Sequence, residues 1–327
     1  MKSLVVAMGL AAALPAGFQT AFAACRMADS DAAWIAGALQ AWRGAERDIL
    51  RLPPTPLPEI VVLDAACTYR SATAGEGAPV WATAPHGGMA TLPDGRQIPA
   101  APIAFAAPGT GAGPGYFVMS LPSVWRAAGV ASPLGLERLM DGVLLHEIMH
   151  TRQFYFVGPQ LAALTARYGL PDDLDDNSLQ AKFQADPAYV AAYENERDLL
   201  FAAAAASSDG EARRLAGQAL AALRARRAKW FTGDAAYWAS LDDIFLTMEG
   251  LGQWIAYAWL RDGGAAHGGD ADLLTAVRRG GKQWTQDEGL ALFLVVDRLV
   301  PGWQSRAFAA DPELAEALLS RAAAGPD

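Results

Sequence analysis

The run His146-Glu147-Ile148-Met149-His150 holds the residues of this chain best suited to chemistry. Side chains four positions apart share one face of a helix, so the two imidazoles can present nitrogens to a single divalent cation about 2.0 to 2.1 Å from each. Glu147 is turned about 100° from His146, where its carboxylate reaches a water on that cation without becoming a ligand. Zinc lowers the pKa of such a water towards about 7, and a carboxylate so placed takes its proton as the oxygen attacks a carbonyl. The pattern is that of a hydrolytic site with Glu147 as general base. Random placement in a chain with four histidines would produce it roughly 0.002 times. Leu144, Leu145, Ile148 and Met149 form an apolar back face that docks the helix to a core. Gly142, one turn before His146, either leaves space above the ion or lets another helix approach.

A catalytic zinc takes a third protein ligand and keeps a position for water. His86 lies in a turn-rich region and His267 in a Gly-rich loop, and both read as surface residues. Carboxylates on apolar helix faces are therefore the candidates, because burying one without a partner is costly. Glu249 stands in the almost uncharged stretch 244–260, which implies a positive partner. Glu196 faces the side of Ala192, Tyr193, Leu199 and Leu200, while Glu194, Arg197 and Asp198 form the polar side. Gln153, one turn beyond His150, is placed to orient a ligand from behind or to be solvated. Tyr257, two turns after Glu249, could donate to a developing oxyanion, although among Trp254 and Trp259 it reads first as packing.

These motifs resemble the zincin metallopeptidases, and within them the gluzincins, whose third ligand is a Glu on a later helix. Glu249-Gly250-Leu251 followed by Trp254 is similar to the Glu-Gly-x-x-x-Tyr or Trp pattern of aminopeptidase-like gluzincins. Glu194-x-x-x-Asp198, or Asn195-Glu196, is more loosely similar to the thermolysin-type pattern. The resemblance implies Zn2+ held by His146, His150 and Glu249, with Glu196 and then Glu194 as alternatives, and a peptide or protein substrate. It also implies that the helices within residues 151–248 are an insertion, and that the strand 116–121 is the edge strand that holds substrate.

Composition limits the other possibilities. Hydrophobic residues make up 52% of the 327 and charged residues 19%, the balance of an ordered, compact protein. A net charge of -9 disfavours nucleic acid and anionic membranes, and the cluster Arg224, Arg226, Arg227 and Lys229 reads as a solvated helix face. Lys2, an apolar stretch 4–14 and the small-residue ending Ala21-Phe22-Ala23 read as a secretory signal, residues 1–23. Pro15, Gly17, Gln19 and Thr20 interrupt it, so no stable transmembrane anchor is expected in the mature, periplasmic or secreted chain. Cys25, just past that cleavage point, could instead carry a lipid, but Phe22 is an unfavourable neighbour for such a signal. Cys25 and Cys67, the only cysteines, are expected to form a disulfide in an oxidising compartment, worth about 3 to 4 kcal/mol on the chain-entropy model.

The elements that must position the site follow from periodicity. Residues 29–50 read as an amphipathic helix stopped by Pro53, Pro54, Pro56 and Pro58, and 60–63 as a buried strand. Residues 75–115 form a Gly- and Pro-rich β region with Asp94-Gly95 as a hairpin turn, and their glycines 109, 111 and 113 make no phosphate loop. After Ser132-Pro133, read as N-cap and first helical residue, helices are expected over 135–156, 187–206, 211–230, 237–260, 270–279 and 312–324. Asp172, Asp173, Asp175 and Asp176 mark a polar loop. The fold class is thus α+β and mostly helical: a small β-containing N-terminal part, 24–131, packed on a larger helical, zincin-like part, 132–327, as two units or one domain.

Overall fold

Five of the short strands pair into one sheet. They are β1 (Glu59–Leu63), β2 (Cys67–Ser71), β3 (Trp81–Pro85), β6 (Ala104–Ala107) and β7 (Tyr116–Ser120), in the order β3-β2-β1-β7-β6. A separate hairpin, β4 (Met89–Thr91) and β5 (Gln97–Pro99), turns at Asp94-Gly95, where Gly95 takes a φ of 86°. The computed structural model describes residues 25–71, 79–109, 115–171, 174–263, 270–278 and 282–325. The signal-like segment 1–23, Asp172, Asp173, His267 and the glycines 111 and 113 lie outside the described residues.

Strands β1 and β7 run parallel in register, Val61 opposite Val118 and Val62 opposite Met119, and every other pairing in the sheet is antiparallel. Alternate side chains therefore serve different layers. Ile60, Val62, Phe117 and Met119 join the helical core, whereas Val61, Leu63, Tyr116 and Val118 pack against Ala90 and Leu92 of the hairpin. The strand anticipated over 116–121 is thus interior to the sheet. Its neighbour β6 is the edge, a correction to the expectation that 116–121 would be the edge strand.

The N-terminal helix α1 (Asp29–Gly44) ends in a π turn at Ala45–Ile49 and buries Trp34, Ile35, Ala38, Leu39 and Trp42. The expected disulfide, Cys25–Cys67, ties its start to β2. A short helix α2 (Pro122–Ala127) follows β7, and the long helix α3 (Leu136–Tyr168) carries the His-Glu-x-x-His turn. Ser132 closes a turn rather than capping α3, since Gly135 in a left-handed conformation redirects the chain before Leu136. Pro159 withholds one helical hydrogen bond but does not end α3 near 156, because Phe156, Val157, Leu161 and Leu164 keep packing against Ile244 and Met248.

The remaining helices are α4 (Ser178–Phe183), α5 (Pro187–Ala205), α6 (Asp209–Trp230), α7 (Trp238–Asp262), α8 (Asp270–Val277), α9 (Trp284–Leu299), α10 (Trp303–Ala307) and α11 (Ala315–Ala324). Asp186 caps α5 by accepting from Ala188 and Tyr189, and Ser208 caps α6 by accepting from Glu211. The sequence reading places no helix over α9, which is buried on nearly all sides and so lacks a polar stripe. Helices α7 and α9 touch backbone to backbone: a Cβ on Gly289 would lie 2.6 Å from the Gly250 Cα. Among the described residues no helix is long and apolar enough to cross a membrane. The protein is α+β and mostly helical, with a small N-terminal sheet and a larger helical part.

Candidate metal centre

Helices α3 and α7 pack face to face, and two glycines set how closely. A Cβ at Gly142 would stand 3.2 Å from the Leu260 side chain, so this glycine serves helix contact. A Cβ at Gly252 would fall 2.8 Å from Nδ1 of His146, so the bare α7 backbone there leaves room for the ring. Across that contact His146, His150 and Glu249 bring one ligand atom each within 4.8 Å of one another, all buried. The Nε2 atoms of His146 and His150 each lie 3.3 Å from a different Glu249 oxygen and 2.9 Å from each other. Tetrahedral zinc with ligands at about 2.0–2.1 Å spaces its donors about 3.3 Å apart, which is the distance each imidazole already keeps from one Glu249 oxygen, while the two nitrogens would have to part slightly. Two imidazoles and a carboxylate also suit zinc chemically.

Each ligand has a support behind it. His150 Nδ1–H donates to Oε1 of Gln153 over 3.0 Å, which leaves Nε2 to face the centre, and the Gln153 amide donates to the carbonyls of Thr247 and Met248 on α7. Gln286 of α9 donates to Oε2 of Glu249 over 2.9 Å. Burial would favour neutral His150, but the Glu249 carboxylate overrides it and pushes the imidazole pKa up to about 9. Burial likewise opposes ionisation of Glu249, yet His150 and His146 hold its carboxyl far below the usual range. Burial, then the charge of Glu249, pushes Asp176 up to about 7.

Glu147 is buried but not part of this trio, and it lines two cavities that share Ala104, His146, Gln283 and Gln286. One of about 400 Å³ is walled by Ile103, Trp125, Val143, Leu260 and Val277. The other, of about 290 Å³, reaches His150 and Glu249 and is walled by Phe105, Phe154, Met248, Asp175 and Asp176. A larger cavity of about 840 Å³ lies elsewhere, beside α11, and its Arg224, Arg306 and Arg321 are already paired with Glu316 and Glu313.

The other candidates fall away from the centre. Glu196 is fully buried against the Arg226 guanidinium, 2.8 Å away, which corrects its reading as an alternative ligand and explains how a carboxylate can sit on an apolar face. Glu194 is exposed. Arg226 and Arg227, expected on a solvated face, are instead buried among Glu196, Asp242 and Glu288. Tyr257 packs in the core and lines neither cavity. His86 donates or accepts locally at Asp64 and Gly88, away from the trio. The Cys25 sulfur is committed to its disulfide, not to a lipid. The sequence reading did not find Gln286, Gly252 or Asp176. An amide and a glycine carry no charge that would flag them, α9 itself was unassigned, and Asp176 read only as one residue of a polar loop.

Comparison with protein-family models, with curated proteins and with solved structures returns no match to this chain.

Proposed function

We propose that this protein is an exported zinc metallohydrolase of gluzincin-like type that hydrolyses an amide bond in a peptide or protein. The supporting observation is the arrival of Glu249, from a separate helix, on the two imidazoles of a His-Glu-x-x-His turn whose glutamate lines the adjoining cleft. When bound, zinc supplies a Lewis acid that acidifies water and polarises a carbonyl. His146 and His150 hold it through Nε2 and Glu249 through its carboxylate. Glu147 holds the proton lost by the attacking water and delivers it to the leaving nitrogen. Gln153 and Gln286 keep two of the ligands oriented. The signal-like start and the disulfide together support a periplasmic or secreted location.

The deep burial of the donors also suits a non-catalytic envelope binding protein in which zinc only joins α3 to α7. That reading gives Glu147 no role. Metal content and hydrolysis of a mixed peptide pool, measured on the wild type, His146→Ala and Glu147→Gln, decide between them. One zinc per chain, lost in His146→Ala and kept in an inactive Glu147→Gln, is the expected result. Zinc retained in His146→Ala overturns the ligand set, and unchanged behaviour of Glu147→Gln favours the binding protein.

A further inference from the structure

Helices α5, α6, α7 and α9 close over a group of charges that the metal centre does not use. The side chains of Arg226, Glu196 and Glu288 are 0%, 0% and 2% exposed. Around the Arg226 guanidinium, Glu196 of α5 lies 2.8 Å away, Asp242 of α7 3.2 Å and Glu288 of α9 3.6 Å, while the Tyr189 hydroxyl accepts from Nη1. Arg227 does not restore the balance, because it already serves Asp242, Asp243 and, from α11, Glu316. The enclosure therefore holds more carboxyls than guanidiniums, and a buried carboxylate without its own cation costs far more than a neutral carboxylic acid.

The excess falls on Glu288. Glu196 accepts two N–H groups of Arg226, and Asp242 accepts one from each arginine. Glu288 Oε1 has no hydrogen-bond partner among the described residues. Burial first, and then the neighbouring Glu196 carboxylate, push the Glu288 carboxyl well above the usual range. Tyr193 also faces it from α5, and Asp287, beside it on α9, is engaged by Arg278 and Arg197.

We propose that Glu288 is held as a neutral acid, its proton shared with Glu196, and that this proton latches the first turn of α9 against α5 and α7. On that turn Gln286 donates to Glu249, and Trp284 donates its N–H to Gln180 and accepts from the Tyr193 hydroxyl. Gly289 cannot slide away, because its backbone rests on Gly250. Loss of the proton leaves three carboxylates around one guanidinium in a dry site, and the repulsion is relieved by opening the turn that carries Gln286. The shared proton does not depend on a metal; its effect on zinc rests on the metallohydrolase reading.

Infrared spectra of the metal-free protein in heavy water test the proton. At about pH 8, above the values near which Asp141 and Asp176 ionise, a carboxylic-acid carbonyl band is expected in the wild type and is expected to be missing from Glu288→Gln. The folded protein binds this proton more tightly than the unfolded chain, where a Glu titrates near about 4.3, so the group favours folding in acid and does so less as pH rises. In denaturant titrations the folding equilibrium of Glu288→Gln is expected to gain about tenfold on the wild type for each pH unit between about 5 and 8. Above the pH at which the band disappears, the amides of residues 284–290 should exchange about tenfold faster in the wild type than in Glu288→Gln at the same pH, and zinc should compete with a chelator about tenfold less well.

A wild type without an acid band at pH 8 overturns the shared proton, however well the variant folds. So does a band that survives Glu288→Gln. Equal exchange of 284–290 in the two proteins above that pH overturns the latch. A latch that opens as described in a protein that binds no zinc sustains the inference and sinks the metallohydrolase reading instead.

Discussion

Glu249 shows how a single side chain can advertise its partner. A carboxylate in an otherwise uncharged stretch of α7 must meet positive charge or metal, and it meets two imidazoles. Glu196 also sits on an apolar face and also has a positive partner, but that partner is Arg226 and not a metal centre. Gln286 is the residue whose removal tests the support of Glu249: Gln286→Ala is expected to weaken zinc affinity by about 10- to 100-fold, read by competition with a chelator, with thermal stability of the metal-free protein little changed. Unchanged affinity would show that Glu249 needs no such anchor. Asp141, on α3, supplies a pH test. Burial pushes its carboxyl up to about 6, and one of its oxygens has no hydrogen-bond partner. The folded state thus favours the protonated form, so this group's contribution is best below the unfolded pKa of about 3.9 and is lost as pH rises through 6. Asp141→Asn should raise stability at pH 7 by about 1 kcal/mol, after discounting for partial exposure, and change little at pH 3.5 in denaturant titrations.

Among elements, the α7–α9 crossing decides whether the centre is assembled. Gly250 and Gly289 bring the two backbones into contact, and the first turn of α9 then sends Gln286 to Glu249, Asp287 to Arg278 and Glu288 to Arg226. A methyl group on Gly289 would collide with main chain that no rotamer change can clear. Gly289→Ala is expected to cost about 1–3 kcal/mol and to loosen zinc binding, measured by urea midpoint and chelator competition; a stable variant with native affinity would refute the close crossing. Helix α9 is the element least legible in the sequence. Helices α5 and α6 declare themselves through polar faces and caps and α7 through the length of its pattern, and their ends fall within two residues of the expected ones. Residues 289–296 are apolar throughout, so no periodicity distinguishes helix from buried strand. The edge position of β6 was equally invisible, because which strand lies outermost depends on pairing between distant segments.

At the level of the whole molecule, one core runs from the sheet through α1 and α3 to α7, α9 and α11, so the centre is braced from both ends of the chain. A second, aromatic cluster of Phe183, Tyr189, Tyr193, Phe231, Trp238 and Trp284 supports the far side of α7. The covalent tie between Cys25 and Cys67 joins the start of the chain to β2 and involves no residue of that cluster. Replacing both cysteines by serine is expected to lower stability by about 3 to 4 kcal/mol on the chain-entropy model, read from denaturant unfolding. A loss under about 1 kcal/mol would mean that packing alone anchors the start of the chain.

That tie encloses α1, the proline-rich connection and β1 in one loop and leaves α7 and α9 outside it. A mild thiol reductant would then free the residues ahead of α1 from β2, while α1 stays packed in the shared core and Glu249 and its amide anchor stay seated. The attachment at the start of the chain thus yields to electrons, whereas the contact between α3 and α7 depends on the integrity of the core itself.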